Sequence, residues 1–316
     1  MMQILGIEIG GTKLQIVVAD RPPTILKRWR IHVDRTGGAN GIRHQLESCL
    51  KECLRSEGRP AAVGLGFGGP VNWQEGAIAC SHQIEGWSGF PLRQWIQEIV
   101  TAPVFVDNDA NVAALGEAIH GAGRSFNPVF YVTLGSGVGG GLVVNREIYH
   151  GAFPGESEIG HIRLNRNADT VESRCSGWAM DRKLRKFCET HRDSRLAALV
   201  SSFPGAEAKG LSAALAEQNA DAQRLLTETA EDLAFGLSHV VHLMHPAVII
   251  LGGGLSLIGE PLRHAVQTAI GPMIMEVFRP GPTIKMAELN EDMVPVGALE
   301  LASRGLQSVP MARSSS

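Results

Sequence analysis

From Gln3 to Asp20 the chain reads QILGIEIGGTKLQIVVAD, two apolar, β-branched runs on either side of Gly-Gly-Thr. That pattern predicts a pair of strands joined by a tight hairpin. Apolar positions at helical spacing follow over about 40–57, and AAVGLGFGGPV then reads as a buried strand breaking into a Gly/Pro turn. PLRQWIQEIV has helical spacing, APVFVDND is another strand, and ANVAALGEAIHGAG is a helix stopped by glycine. The opening unit then recurs. VFYVTLGSGVGGGLVVNREIYHG, Val129 to Gly151, is again strand, glycine turn and strand. One long helical stretch from Leu211 to about Leu243 leads into the buried strand and glycine turn of PAVIILGGGL, and then into a further helix.

Two halves that open alike predict a duplicated α/β architecture with a cleft between them. We expect a smaller N-terminal α/β domain over 1–115 and a larger C-terminal one over 116–305. The last helix would pack back on the first domain, and 306–316 would form a flexible tail.

Composition narrows the function. With 44% hydrophobic and 19% charged residues the chain is an ordinary globular protein. A net charge of −3 gives no basic surface for nucleic acid or anionic membrane. No uncharged apolar run reaches spanning length, and Met1 leads straight into the first strand with no leader-like segment. The five cysteines are odd in number and lack CxxC spacing, which argues against a disulfide framework. Cys49 and Cys53 share a helical apolar face with Ile42, Leu46 and Leu50, as small hydrophobes would. The expectation is a reduced, cytoplasmic protein.

The 37 glycines cluster at the turns. GSGVGG is no dinucleotide fingerprint, because the alternating, β-branched GLVVNREIYHG after it is a strand where the fingerprint needs a helix. GGTK likewise lacks Walker A spacing. Facing hairpin turns at Gly10–Thr12 and Gly135–Gly137 could instead present backbone N–H groups to the phosphates of one nucleotide. The stretch VFVDNDANVAALGEA places Asp107, Asn108, Asp109 and Asn111 where a strand ends and a helix begins. Asx side chains cap helices there, and a strand tip can equally present a carboxylate as a base.

Taken together the motifs resemble the ROK family of sugar kinases within the actin/hexokinase superfamily. GIEIGGTKL resembles the first phosphate loop, GLGFGGPVN the sugar-side glycine turn and SHQIEGW the sugar-proximal loop after it. VDNDANVAALGE resembles the segment carrying the catalytic aspartate, VTLGSGVGGGLVVN the second phosphate loop, GESEIGH the sugar-binding Glu–His segment and PAVIILGGGL the adenosine-side turn. The resemblance implies an α/β, duplicated actin-like ATPase (ribonuclease H-like) fold, two domains around a central cleft, and ATP-dependent phosphorylation of a hexose. Asp109 would be the general base, with Gly69, Asn108, Glu158, His161 and Glu172 also on the sugar. Glu8, Gly10, Gly11, Thr12, Lys13, Thr133, Gly135, Ser136, Gly137, Gly253 and Gly254 would serve the nucleotide. Mg²⁺ would arrive with ATP. Glucose is the sugar expected, with N-acylhexosamine or fructose kinases and an inactive sugar-binding sensor as alternatives, and a homodimer is the expected assembly. A regulator of the family would carry a helix-turn-helix domain in front, and with Met1 so near the first strand none is expected here.

The chain also departs from the family's pattern. Glu8 stands where aspartate is usual, Gly68 where proline is usual and Asn72 where aspartate is usual. After His161 the family carries a zinc loop of the form CxCGxxGCxE. Here HIRLNRNADTVESRCSGW is shorter and holds one cysteine, Cys175, beyond the zinc positions. No structural zinc is therefore expected, and His161 should be oriented by a protein hydrogen bond instead.

Overall fold

The computed structural model describes residues 3–34, 36–80, 86–153, 155 and 157–308. Twelve strands and ten α-helices occur among them. The strands are β1 Ile4–Ile9, β2 Lys13–Ala19, β3 Lys27–His32, β4 Ala62–Phe67, β5 Val71–Asn72, β6 Ala77–Ile78, β7 Val104–Asn108, β8 Val129–Leu134, β9 Val138–Val144, β10 Glu147–Ile148, β11 Val248–Gly252 and β12 Thr283–Met286. The helices are α1 Gly38–Glu57, α2 Leu92–Val100, α3 Asp109–His120, α4 Val171–Cys175, α5 Gly177–Thr190, α6 Arg195–Val200, α7 Ala208–Ala216, α8 Ala220–Met244, α9 Glu260–Ile270 and α10 Met293–Ser308.

The duplication is written in the sheets. One five-stranded sheet runs β3-β2-β1-β4-β7 and the other β10-β9-β8-β11-β12, the same order in each half. In the first, β1 and β2 form the antiparallel hairpin, while β4 and β7 join parallel. In the second, β11 lies parallel to β8 and β12. This is the duplicated actin-like ATPase fold.

The chain divides into two compact units, one of Met1–Arg124, Gly141–Glu156 and Glu291–Ser316, the other of Ser125–Gly140 and Ser157–Asn290. The first boundary thus falls after Arg124, not at 115/116, because α3 is one continuous helix whose buried residues include Ala114, Leu115, Gly116 and Glu117. The chain then returns to the first unit for 141–156 and again for α10, which packs on α3, β4 and β1. Close approach explains the glycines there. A Cβ on Gly64 of β4 would lie 1.9 Å from the carbonyl oxygen of Ala298, and one on Gly297 of α10 would lie 1.9 Å from that of Val112. Strand β1 is correspondingly buried along nearly its whole length, as a strand covered on both faces must be. One face packs with α1 and α2 through Ile42, Leu46, Leu92 and Ile96; the other meets Leu299 and Ala302 of α10.

Four further elements differ from the expectation. Strand β3 (KRWRIH) is half exposed and charged, so its sequence carries no apolar run. Strand β12 is only four residues long. The long helix expected from Leu211 is two helices, α7 and α8. Gln218 between them adopts a left-handed φ of 57°, and the Asn219 side chain caps α8 by accepting from Ala222 N–H at 3.0 Å. Helix α10 extends to Ser308, past the expected start of the tail, whose residues 309–316 lie outside the described ones.

Candidate functional site

The predicted site residues are carried by the turns at the strand ends of each unit. In the first unit, the β1–β2 hairpin closes with Gly10 N–H donating to the Lys13 carbonyl at 2.9 Å. Thr12 is exposed at its tip, and the Thr12 carbonyl accepts from Val33 N–H. Glu8, on β1 two residues before Gly10, is not a free carboxylate. Its Oε2 accepts from the amide of fully buried Gln15 and lies 3.4 Å from Lys13 Nζ. Burial pushes the Glu8 carboxyl above the usual carboxylate range, while Lys13 and Gln15 pull it back. Lys13 thus pairs with Glu8 in this structure. The other carboxylate oxygen, Oε1, lies toward Gly10, 3.9 Å from where a Cβ would stand.

Asn108, and neither Asp107 nor Asn111, is the cap of α3: its Oδ1 accepts from Ala110 N–H at 2.9 Å and Asn111 N–H at 3.3 Å. Its Nδ2 donates to the Gly69 carbonyl at 3.0 Å, tying the strand tip to the sugar-side glycine turn. Asp107 is buried and accepts at Oδ1 from Asn108 N–H (2.8 Å) and from Asn111 Nδ2 (3.0 Å). Its Oδ2 lies 2.6 Å from His150 Nε2. The His150 ring stacks on Trp73 at 4.1 Å. Sequence reasoning missed His150 and Trp73, since neither sits in a motif and their pairing is purely tertiary.

Asp109 opens α3, where a carboxylate meets the positive end of the helix. Gly68 stands beside it. A Cβ on Gly68 would lie 3.3 Å from Asp109 Oδ2, 3.4 Å from the Ile9 carbonyl oxygen and 3.6 Å from Gly10 Cα. The carboxylate, the sugar-side turn and the first phosphate loop therefore converge on one residue that has no side chain. The sugar-proximal residues 81–85 lie outside the described ones.

In the second unit, the β8–β9 turn repeats the first hairpin's closure: Gly135 N–H donates to the Gly137 carbonyl at 2.9 Å. Those two N–H groups, of Gly10 and Gly135, are consequently spent within their own turns. Thr133, the last but one residue of β8, lies opposite Gly252, and Ser136 is exposed at the tip of the turn. Gly253 has a left-handed φ of 83°, and a Cβ there would lie 2.7 Å from the Leu134 backbone; the position next to it, Gly254, opens onto free space. Glu172 lies on α4 with Oε2 accepting Val138 N–H at 2.9 Å.

Glu158 precedes a single 3₁₀ turn over Ile159–His161 that His161 ends, and both residues are exposed. Among the described residues no hydrogen bond holds the His161 ring, contrary to expectation; the only bond at this residue is its backbone N–H to the Glu158 carbonyl, 3.1 Å. The donor set does not suit a zinc ion either. Cys175 is fully buried with Sγ 3.7 Å from the Thr229 carbonyl, and burial pushes its thiol up to about 12, whereas zinc takes a thiolate. The described residues contain no cluster of three or more His, Cys, Asp or Glu placed to hold a metal.

The ROK family profile matches residues 4–304. The chain is 32% identical over 313 residues to a glucokinase of Streptomyces coelicolor, covering 94% of this chain and 96% of that one. It is 28% identical over 306 residues to a glucokinase of Halalkalibacterium halodurans, with 93% and 92% covered. A crystal structure of a ROK family glucokinase from Streptomyces griseus, in complex with glucose and AMPPNP, superposes with a TM-score of 0.83 at 28% identity, covering 96% of this chain and all of that one. The chain belongs to the ROK family, and it is a hexose kinase of that family.

Proposed function

We propose that this protein transfers the γ-phosphoryl group of Mg-ATP to the 6-hydroxyl of glucose, with Asp109 as general base. The observation that carries the proposal is the convergence at Gly68, where the Asp109 carboxylate, the sugar-side turn and the first phosphate loop lie within about one side chain's reach. Phosphoryl transfer passes through a loose transition state and asks the protein mainly for positioning, charge stabilisation and a proton acceptor. Asp109 would supply the acceptor, within hydrogen-bond reach of the attacking hydroxyl. Support for glucose and ATP as the pair comes from the relatives named glucokinase and from the solved complex with glucose and AMPPNP.

The remaining roles follow the chemistry of each group. Gly69, Asn108, Glu158, His161 and Glu172 would meet sugar hydroxyls. Asn108 reaches the sugar only with what its structural duties leave, one amide hydrogen. Gly11, Thr12, Lys13, Thr133, Ser136 and Gly137 would serve the phosphates, with Gly10 and Gly135 shaping the two loops through the N–H groups that close their turns, and Gly253 and Gly254 would serve the adenosine. Glu8 Oε1 would reach the Mg²⁺ of the incoming Mg-ATP through water. We place the enzyme in the cytoplasm as a homodimer. Its cysteines are free thiols, and no helix among the described residues is long and apolar enough to cross a membrane.

A coupled assay with Mg-ATP against a panel of hexoses and N-acetylhexosamines tests the reading. The highest kcat/KM should fall on glucose. A higher value on an N-acetylhexosamine would overturn the sugar assignment, and no turnover with any sugar would overturn the kinase itself.

A further inference from the structure

The Glu172 carboxylate lies against the turn between β8 and β9. Besides the bond from Val138 N–H to Oε2, a Cβ on Gly137 would stand 2.4 Å from that oxygen and 3.2 Å from Cδ. Gly137 has no positive φ, so the missing side chain there serves the approach of the carboxylate and not the conformation of the turn. The same segment grips the turn a second time. Gly177 N–H donates to the Gly135 carbonyl at 2.7 Å, and a Cβ on Gly177 would lie 2.9 Å from that oxygen. Residues 172–177 thus hold both ends of the turn, one of them through a charged acceptor, which makes the stronger bond. The other oxygen, Oε1, is turned away from the turn, 3.9 Å from the Gly137 Cβ position, and among the described residues no hydrogen bond engages it.

We infer that Glu172 is a positioning residue that couples the two substrates, holding the second phosphate turn with Oε2 while Oε1 accepts a sugar hydroxyl. The inference rests on the function proposed above. A carboxylate that takes a hydroxyl at Oε1 is fixed in the rotamer that places Oε2 on Val138 N–H. A phosphate group seated in the turn fixes the same rotamer from the other side. Ordering the side chain and turn is then required once, by whichever substrate arrives first, and the second binds more tightly. Linkage makes the effect reciprocal: glucose must tighten nucleotide binding by the same factor as nucleotide tightens glucose binding.

The test is calorimetric titration of Mg-AMPPNP with and without saturating glucose, and of glucose with and without Mg-AMPPNP. It is run on the wild type, on Gly137→Ala and on Glu172→Gln, after thermal melts confirm that each variant is folded. The wild type should show a coupling factor of about tenfold, equal from both directions. Gly137→Ala puts a methyl 2.4 Å from the present position of Oε2, displaces the carboxylate from Val138 N–H and should bring the factor close to one, with glucose affinity in the absence of nucleotide also lowered. Glu172→Gln keeps an acceptor for Val138 N–H but replaces the second oxygen by a donor, so glucose affinity and coupling should both fall. If Gly137→Ala does not fold, Glu172→Gln decides. Coupling of wild-type size in the folded variants would overturn the inference. So would a wild type that binds glucose and AMPPNP independently, while the kinase reading would stand. A wild type that binds neither would overturn that reading as well.

Discussion

His150 Nε2 lies 2.6 Å from Asp107 Oδ2, and with this bond the buried aspartate serves three partners: the Asn108 backbone, the Asn111 side chain and the imidazole. Asp107 thereby anchors the β7–α3 junction, on which Asp109 is the next residue but one, to the 141–156 segment. Removing it leaves buried donors unpaired, at a cost of about 1–3 kcal/mol. Asp107→Ala should destabilise by that amount in urea unfolding and lower kcat. His150→Phe, which keeps the ring against Trp73 but not the bond, should cost less in both. Wild-type stability in Asp107→Ala would show that the anchor is dispensable.

Asn108 separates capping from the tie to Gly69. Asn108→Ser keeps an acceptor for the Ala110 and Asn111 N–H groups but loses the donor to the Gly69 carbonyl. Asn108→Ala loses both, and should be less stable than the serine variant by about 1 kcal/mol, the usual worth of a cap. Denaturant midpoints at equal m-value measure the difference; equal midpoints would mean that the cap contributes nothing.

The two hairpins, the parallel strands between them and the buried helix faces were legible because each is a run of apolar residues at a fixed period. What was illegible was short or set by distant partners. Strand β3 exposes alternate charges, two of which pair with Asp292 and Glu291 from the far end of the chain. Within DNDAN the sequence does not say which Asx residue caps α3; the structure gives Asn108 to the cap and Asp107 to His150, a partner 43 residues away. Glu172 was legible as an acid in a motif, but its bond to Val138 spans 34 residues and leaves no local trace.

The thiols report on the missing metal loop. Burial pushes Cys49 to about 11 and Cys53 and Cys175 to about 12, so none offers appreciable thiolate near neutrality. At about pH 8, iodoacetamide should leave these three unmodified in the folded protein, as peptide mass mapping will show. Elemental analysis should find zinc well below stoichiometry, with activity unchanged after EDTA and excess Mg²⁺. About one zinc per chain, lost in Cys175→Ser, would contradict this.

Glu300 gives stability a pH dependence of known sign. Burial alone would raise its carboxyl, but hydrogen bonds from His120 (2.8 Å) and Arg304 (2.6 Å) hold it below its ordinary value of 4.5. A group depressed in the folded state stabilises above its unfolded pKa, and loses that contribution as pH falls through the folded one. Glu300→Gln should therefore lower Tm at neutral pH, and the gap to wild type should close as pH drops below about 4. A gap that widens on acidification would reverse the sign.

The central claim is that the carboxylate at the start of α3 takes the proton from the sugar. Asp109→Asn is nearly isosteric, retains a polar group beside Gly68 and removes the proton acceptor. Its kcat with glucose and Mg-ATP, measured beside glucose affinity from calorimetry, tests the claim directly. Turnover should fall by about 10²–10⁴-fold while glucose affinity stays within a few-fold of wild type. A folded Asp109→Asn variant with near-normal kcat would place the base elsewhere.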